Sequence, residues 1–459
     1  MSAIQAGELR EAVGGLTLFP GDEGFEAHHS GWNLTVTHDP AVVVVPESAE
    51  DVSAAVRYAA ARDLPVAVQA TGHGLSIPAD GAVFVSTRRL TGISVDAEAR
   101  TARIGAGLIW ADVVAETARH GLAPLNGSSP DVGVMGYLTG GGLPVLGRTY
   151  GFAADHVRSL ELVTADGEIR TVTPTEDPDL FWAVRGGRGN FGVVTAAEIE
   201  LLPTDRLYGG GLFFPGADAE RVLRAYFAWV PGQPEEMNSS VILLRFPDHP
   251  AVPEHNRGRF LVHLRIAYAG SAEDGAALVA PLRALGPEED TVEEMAYTRI
   301  GEIFRDPHRP TPAWARTAVL SSFGEEAVEA LVAAAGPGSG LPPGGVEIRH
   351  LGGALGRPAE RPSAIGRPVG EFHIFMSMPA PLESAEVSHK AEQGVLDRLA
   401  QWDTGTMLPG FLFSSDSAPE DVRRAYRAAD YERLARIKAD RDPHNTFRIN
   451  HNIPPATRD

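Results

Sequence analysis

Short apolar runs punctuated by glycine and proline fill the first 205 positions. Val42-Val43-Val44-Val45 is an unbroken β-branched run, as expected of a strand covered on both faces. Pro46 ends it. Ser48 with Asp51 three positions on predicts a capped helix start, after which Val52, Ala55, Val56, Ala59 and Ala60 recur at helical spacing. Residues 64–68, 83–85 and 102–107 read as strands, and 109–120 as a helix stopped by Gly121. Asp166-Gly167 between the apolar stretches 160–164 and 169–172 predicts a hairpin. Asp177-Pro178 opens a short helix through 181–184, and 193–202 is a strand.

Beyond 205 the strand candidates lengthen and alternate, at 241–246, 260–268, 346–351 and 372–378. Helical stretches near 217–230, 271–285, 324–335 and 385–402 separate them. This pattern predicts an antiparallel sheet with helices on one face, and an α+β chain overall. Residues 336–345 read as a flexible loop, and 418–448 as one charged helix.

Composition narrows the chemistry. The 459 residues suit two or three domains. No cysteine is present, which excludes disulfides, thiolate metal sites, iron–sulfur clusters and a cysteine nucleophile. Lys+Arg 40 against Asp+Glu 60 gives a net charge of −20, so no nucleic-acid partner is expected. No apolar run reaches about 18 residues, so no membrane span is expected. The first ten residues lack the basic start and apolar core of a signal peptide, which makes the cytoplasm the expected location. There is no P-loop, zinc-protease motif or nucleophile elbow. His28 and His29 are adjacent rather than three or four apart, and no metal site is expected there.

Three glycine-bearing loops stand out: Ala70-Thr71-Gly72-His73-Gly74-Leu75; residues 126–142, containing Gly127, Gly133, Gly136 and Gly140-Gly141-Gly142; and residues 185–195, containing Gly186, Gly187, Gly189 and Gly192. Main-chain N–H groups in such loops form anion-binding nests without basic side chains, which suits a diphosphate cofactor on an acidic chain. Gly187-Arg-Gly189-Asn-Phe-Gly192 also fits the nicotinamide-dinucleotide fingerprint. Its order, however, is helix–loop–strand, the reverse of what that site requires.

Thr71-Gly-His-Gly, Gly127-Ser-Ser-Pro-Asp-Val-Gly, the triple glycine, Tyr150-Gly-Phe-Ala-Ala-Asp155 and Asp179-Leu-Phe-Trp-Ala-Val-Arg-Gly-Gly resemble the FAD-binding domain, of PCMH type, of the vanillyl-alcohol oxidase superfamily. The ending from Arg433 through Asp442-Pro-His-Asn to Asn450-His-Asn452-Ile-Pro-Pro resembles berberine-bridge-enzyme-like oxidases. The resemblance covers about 35–205 and 420–455 and is weak between. It implies a two-part FAD-binding domain, 1–205 with 417–459, around a substrate-binding domain at 206–416. FAD contacts are implied at Thr71, Gly72, His73, Gly74, Ser128, Ser129, Val132, Gly133, Gly136, Thr139, Gly140, Gly142, Gly192, Val193, Val194, Asn450 and Asn452.

His73 falls on the histidine that many relatives attach to the flavin 8α carbon, which implies one covalent tether. Relatives with a second tether carry cysteine where this chain has Ser129, so that link is absent. Tyrosines that serve as phenolate-assisted bases in plant relatives are replaced by Leu75 and Leu143. Val132 occupies a position where a small residue leaves room for oxygen. The implied activity is FAD-dependent oxidation of a small molecule at a C–H beside oxygen or nitrogen, with O2 reoxidising the flavin to give H2O2. Base candidates are Tyr426, Glu371 and His373, the last two placed on one strand face. The alternatives are a flavin dehydrogenase with another acceptor and a non-catalytic FAD-binding protein.

Overall fold

The computed structural model describes residues 3–74, 77–379 and 384–457; Leu75, expected in the first glycine loop, lies outside them. The chain order of strands is β1 (Leu16–Leu18), β2 (Val42–Val45), β3 (Val66–Gln69), β4 (Val83–Ser86), β5 (Ile93–Asp96), β6 (Thr101–Gly105), β7 (Val157–Val163), β8 (Ile169–Val172) and β9 (Val193–Glu200). Then follow β10 (Arg206–Pro215), β11 (Met237–Arg245), β12 (Phe260–Tyr268), β13 (Glu289–Asp290), β14 (Glu293–Ala296), β15 (Ala313–Leu320), β16 (Gly344–His350) and β17 (Phe372–Pro379). They form three sheets.

The first sheet runs β1-β2-β4-β3, with β2, β4 and β3 parallel. The four valines of β2 are fully buried, as an inner parallel strand requires. Helix Ala49–Ala60 starts as its sequence dictates: Ser48 Oγ accepts from the Asp51 amide at 3.2 Å. Asp51 turns its own carboxylate to the amides of Gly14 (2.7 Å) and Glu47 (2.9 Å). The second sheet is antiparallel, β5-β6-β9-β7-β8, and contains the expected hairpin β7–β8 around Gly167 at φ +76. Both sheets share one apolar core, which also takes in Leu434, Ile437, Phe447 and Ile453 from the tail.

The third sheet follows the order β13-β10-β12-β11-β16-β17-β15, with β14 also paired to β10. All its pairings are antiparallel. One face packs on helices Ala219–Trp229, Glu325–Ala335 and Ala385–Arg398 through Val241, Leu264, Ile348, Ile374 and Met376. Strands β10 and β15 were not among the sequence-based expectations. The Gly209-Gly210-Gly211 run disguises β10, although Gly210 is needed where its Cβ would lie 2.3 Å from the Thr291 carbonyl oxygen.

The expected single helix over 418–448 is two helices, Pro419–Arg424 and Ala428–Arg441. Arg427 is extended (φ −67, ψ 147) at the break, and Tyr426 beside it turns its hydroxyl inward onto the Gly186 carbonyl. The loop expected over 336–345 gives its last two residues to β16. No helix among the described residues is long and apolar enough to cross a membrane.

Candidate functional site

The three glycine loops meet. The third is the hub: the Gly186 amide donates to the Thr139 carbonyl of the second loop at 2.9 Å. Arg188 Nη2 donates to the Gly74 carbonyl of the first loop at 3.0 Å, while its Nη1 reaches Pro409 O at 2.6 Å. Asn190 then straps the tail. Its Nδ2 donates to His451 O (3.1 Å), and its Oδ1 accepts from Ile453 N (2.9 Å). Lys438, fully buried, donates to Asn190 O (2.6 Å) and pairs with Asp442 (2.7 Å). Burial lowers the Lys438 ammonium to about 8, with Asp442 opposing the shift. Asp442 in turn accepts from the amides of Thr446 and Phe447. Arg188, Asn190, Lys438 and Asp442 were not foreseen. Arg188 and Asn190 are the two with a local signal, since both sit among the glycines of the third loop.

The first loop is pinned from behind by residues 31–33. Trp32 N donates to Thr71 O at 2.8 Å, and the Trp32 indole stacks on the His73 ring with centroids 4.6 Å apart. Gly72 sits at φ +76, and a Cβ there would lie 2.3 Å from Gly31 Cα. His73 Nδ1 is 2.9 Å from Thr71 Oγ1. Its Nε2 is buried with no partner among the described residues. Burial pushes the His73 ring down to about 4, with Asp131 opposing, so the imidazole is neutral at pH 7.

Along the second loop, Ser128, Ser129 and Val132 are half-buried at the rim. Helix Val134–Thr139 presents Gly136 to open space: it is exposed and a Cβ would meet nothing within 4 Å. Gly133, Gly140, Gly142 and Gly192 are instead buried against protein. A Cβ on Gly142 would come within 2.4 Å of Tyr137, and one on Gly192 within 2.6 Å of the Val163 carbonyl oxygen. Thr139 Oγ1 is used within its own helix, on Met135 O at 2.9 Å. Val193 and Val194 open β9 and are buried. Asn450 and Asn452 each leave Oδ1 buried without a partner. Orphaned atoms at His73, Asn450 and Asn452, an open glycine face at Gly136 and main-chain loops joined at one hub fit a dinucleotide ligand.

The base candidates separate. Tyr426 is buried, donates to Gly186 O at 2.9 Å and has its phenol raised by burial, so its hydroxyl already serves as a strut. Glu371 precedes β17 and is exposed. His373 is buried on β17 with both ring nitrogens unpartnered and its ring 4.5 Å from Phe411. Burial, reinforced by Arg349, pushes His373 down to about 3.

The sheet face carrying His373 is opposite the helices. Strand register lines up Gly211, Arg265, Ser240, Arg349, His373 and Val319 as direct cross-strand partners on that face. Val319 packs in one apolar cluster with Leu143, the residue after the triple glycine. This face of the third sheet is therefore the one turned to the second glycine loop. In the next row Glu347 bridges Arg265 Nη1 (3.0 Å) and Arg349 Nη2 (3.1 Å), and accepts from Ser240 Oγ (2.6 Å). Burial would raise Glu347, but Arg349 and Arg265 hold its carboxyl at about 2.

Comparison with known proteins agrees with this geometry. Residues 40–173 match the family model described as an FAD binding domain, and 413–454 the one described as berberine and berberine like. The chain is 28% identical over 480 residues to (R)-6-hydroxynicotine oxidase of Paenarthrobacter nicotinovorans, covering 97% of each protein. Among solved structures, 6-hydroxy-D-nicotine oxidase from Arthrobacter nicotinovorans superposes with a TM-score of 0.85 at 25% identity, over 97% of this chain and 98% of that one. The Physcomitrella patens BBE-like 1 structure shares the fold, with a TM-score of 0.84 at 19% identity over 99% and 100% of the two chains.

Proposed function

We propose that the chain is an FAD-linked oxidoreductase of the vanillyl-alcohol oxidase superfamily, berberine-bridge-like in its tail, with the following division of labour among its residues. Residues 1–205 and 417–459 hold FAD, and 206–416 hold the substrate. The bound flavin would supply a two-electron acceptor for a hydride from a C–H beside oxygen or nitrogen, with O2 taking the electrons onward to H2O2. The observation that carries this reading is the junction of all three glycine loops and the tail at Arg188 and Asn190, beside a neutral histidine with a free nitrogen.

In this reading His73 is the single covalent tether. Thr71 fixes one ring nitrogen, Trp32 fixes the ring plane, and the lone Nε2 is left to bond. Ser129 supplies no second tether. Gly72, Gly74 and Gly136 offer main chain to the cofactor, and the amide oxygens of Asn450 and Asn452 accept from it. Thr139, Gly140, Gly142, Gly192, Val193 and Val194 shape its walls. Of the base candidates His373 fits best: it is neutral, buried and on the face turned to the glycine loop. Tyr426 anchors the third loop, and Glu371 stands at the surface.

The test is the visible colour of the purified holoprotein before and after acid precipitation. Yellow retained in the pellet of wild type and released by His73→Ala supports the tether. Colour that leaves with the wild-type supernatant removes the tether and leaves the fold intact. Stoichiometric H2O2 under air distinguishes an oxidase from a dehydrogenase with another acceptor, and the absence of any turnover points to a non-catalytic flavoprotein.

A further inference from the structure

We propose that the row Arg265–Ser240–Arg349 is an anion subsite that takes a carboxylate group of the substrate. The inference rests on the flavin reading above and names the substrate class for that site.

Charge is the first observation. Three guanidiniums, those of Arg148, Arg265 and Arg349, border one small cavity that Leu143, Ser240 and Phe304 also line. Arg148 is bonded to the carbonyls of Met237 (2.9 Å) and Leu351 and touches the His350 ring, with no carboxylate on it. Arg265 and Arg349 share the single carboxylate of Glu347. Two other carboxylates lie nearby among the described residues: the half-buried Asp306, 3.8 Å from Arg265, and Glu235, which acts on Arg148 but is itself paired with Arg357. Positive charge therefore exceeds negative charge in a place where Arg265 is 5% exposed. Buried charge without a counter-ion is costly, and an anion arriving there removes that cost.

Donors are the second observation. The Nε atoms of Arg265 and Arg349 are both buried with no partner among the described residues. Arginine presents its N–H groups as a planar fork that matches a carboxylate. The two arginines flank Ser240 directly in register, on adjacent strands. The cavity between them and the Leu143–Arg148 segment has a volume of about 20 Å³, room for one carboxylate oxygen.

Position is the third observation. His373 is the next member of the same row, paired with Arg349. Arg349 contributes to keeping the His373 ring unprotonated. An anion at Arg349 would offset that field and make His373 a stronger proton acceptor when substrate is present. Binding and base strength are then coupled through one side chain.

The experiment titrates oxidised holoprotein with benzoate, formate and the neutral isostere benzamide, following visible flavin absorption and unfolding temperature. Expected are a saturable spectral shift and a raised unfolding temperature with the two acids and not with benzamide. Arg349→Met should weaken benzoate binding about ten- to a hundredfold, the loss of one charged hydrogen-bonding group. Arg349→Lys keeps the charge while losing the fork, guards against a folding failure of the first variant, and should weaken binding by less. Glu347→Gln removes the competing carboxylate and should tighten binding.

No saturable response to either acid, an equal response to benzamide, or Glu347→Gln weakening benzoate as much as Arg349→Met overturns the proposal. A colourless preparation counts against the flavin reading instead; calorimetric titration of that protein with benzoate then decides the anion subsite.

Discussion

At the glycine loops the closest approaches are between carbonyls, amides and bare Cα atoms, pinned by a few side chains such as Arg188 and Asn190; across the Arg265–Ser240–Arg349–His373 row they are polar, charged or titratable side chains. The first arrangement tolerates almost no added atom, since Gly72 and Gly31 already touch. The second tolerates charge because each group has a neighbour of opposite sign or a carbonyl, apart from the surplus noted above. The lesson is that a net-acidic chain can carry a locally cationic cavity, and that in the proposed reading cofactor grip and substrate choice draw on different parts of the amino-acid alphabet.

The largest effect should come from Lys438→Met, which leaves Asp442 charged and without its ion-pair partner inside the tail seam. Unfolding of the holoprotein in urea should show a loss of about 3–5 kcal/mol together with loss of bound FAD. Next is Gly72→Ala. A left-handed backbone and a close approach to Gly31 together cost about 2–4 kcal/mol, read as lower unfolding temperature and paler protein. If that variant stays fully yellow and equally stable, the main-chain account of the flavin half fails.

A smaller effect probes the third sheet and its helices alone. Glu392 on helix Ala385–Arg398 is fully buried with both oxygens unpartnered. Burial raises it from 4.5 to about 8, with Arg316 opposing and Asp416 adding, while His389 faces the same two groups. The folded chain therefore keeps a proton that the unfolded chain loses. Stabilisation is complete below about pH 4.5 and drains away as pH rises to about 8. The lowered histidines His73 and His373 act in the opposite sense mainly below their ordinary 6.5, and Lys438, held at about 8, does so from about pH 8 upward, so the difference between wild type and the Glu392 variant over about pH 7 to 8 reads Glu392. Glu392→Gln should flatten the stability slope there while FAD stays bound. The smallest effect is Ser48→Ala, about 1 kcal/mol from one lost helix cap, with neither ligand site disturbed.

Much of the first 205 residues could be read from sequence because the signals there are local. A cap at Ser48, a hairpin at Asp166-Gly167, Asp177-Pro178 at a helix start and the glycine loops each declare themselves within a few residues. The tail seam could not. Lys438 and Asp442 look like surface charges on a solvated helix, and only docking against Asn190 buries them. The cationic row was hidden for a related reason. Arg265, Ser240, Arg349 and His373 lie far apart in sequence, and strand register alone brings them side by side. Tyr426 illustrates the converse: it was expected as a base candidate, but its role depends on one hydrogen bond that sequence does not record.

The strap from Asn190 to His451 and Ile453, with Thr446 O accepting from Val66 N at the start of β3, has a bearing on biosynthesis. During translation the early sheets can assemble as they emerge, but the closing stitches arrive only when residues 446–453 leave the ribosome. With the tail in the FAD site as proposed, a prematurely terminated product would hold no prosthetic group firmly, and loading of the yellow cofactor would report that synthesis has run past this segment.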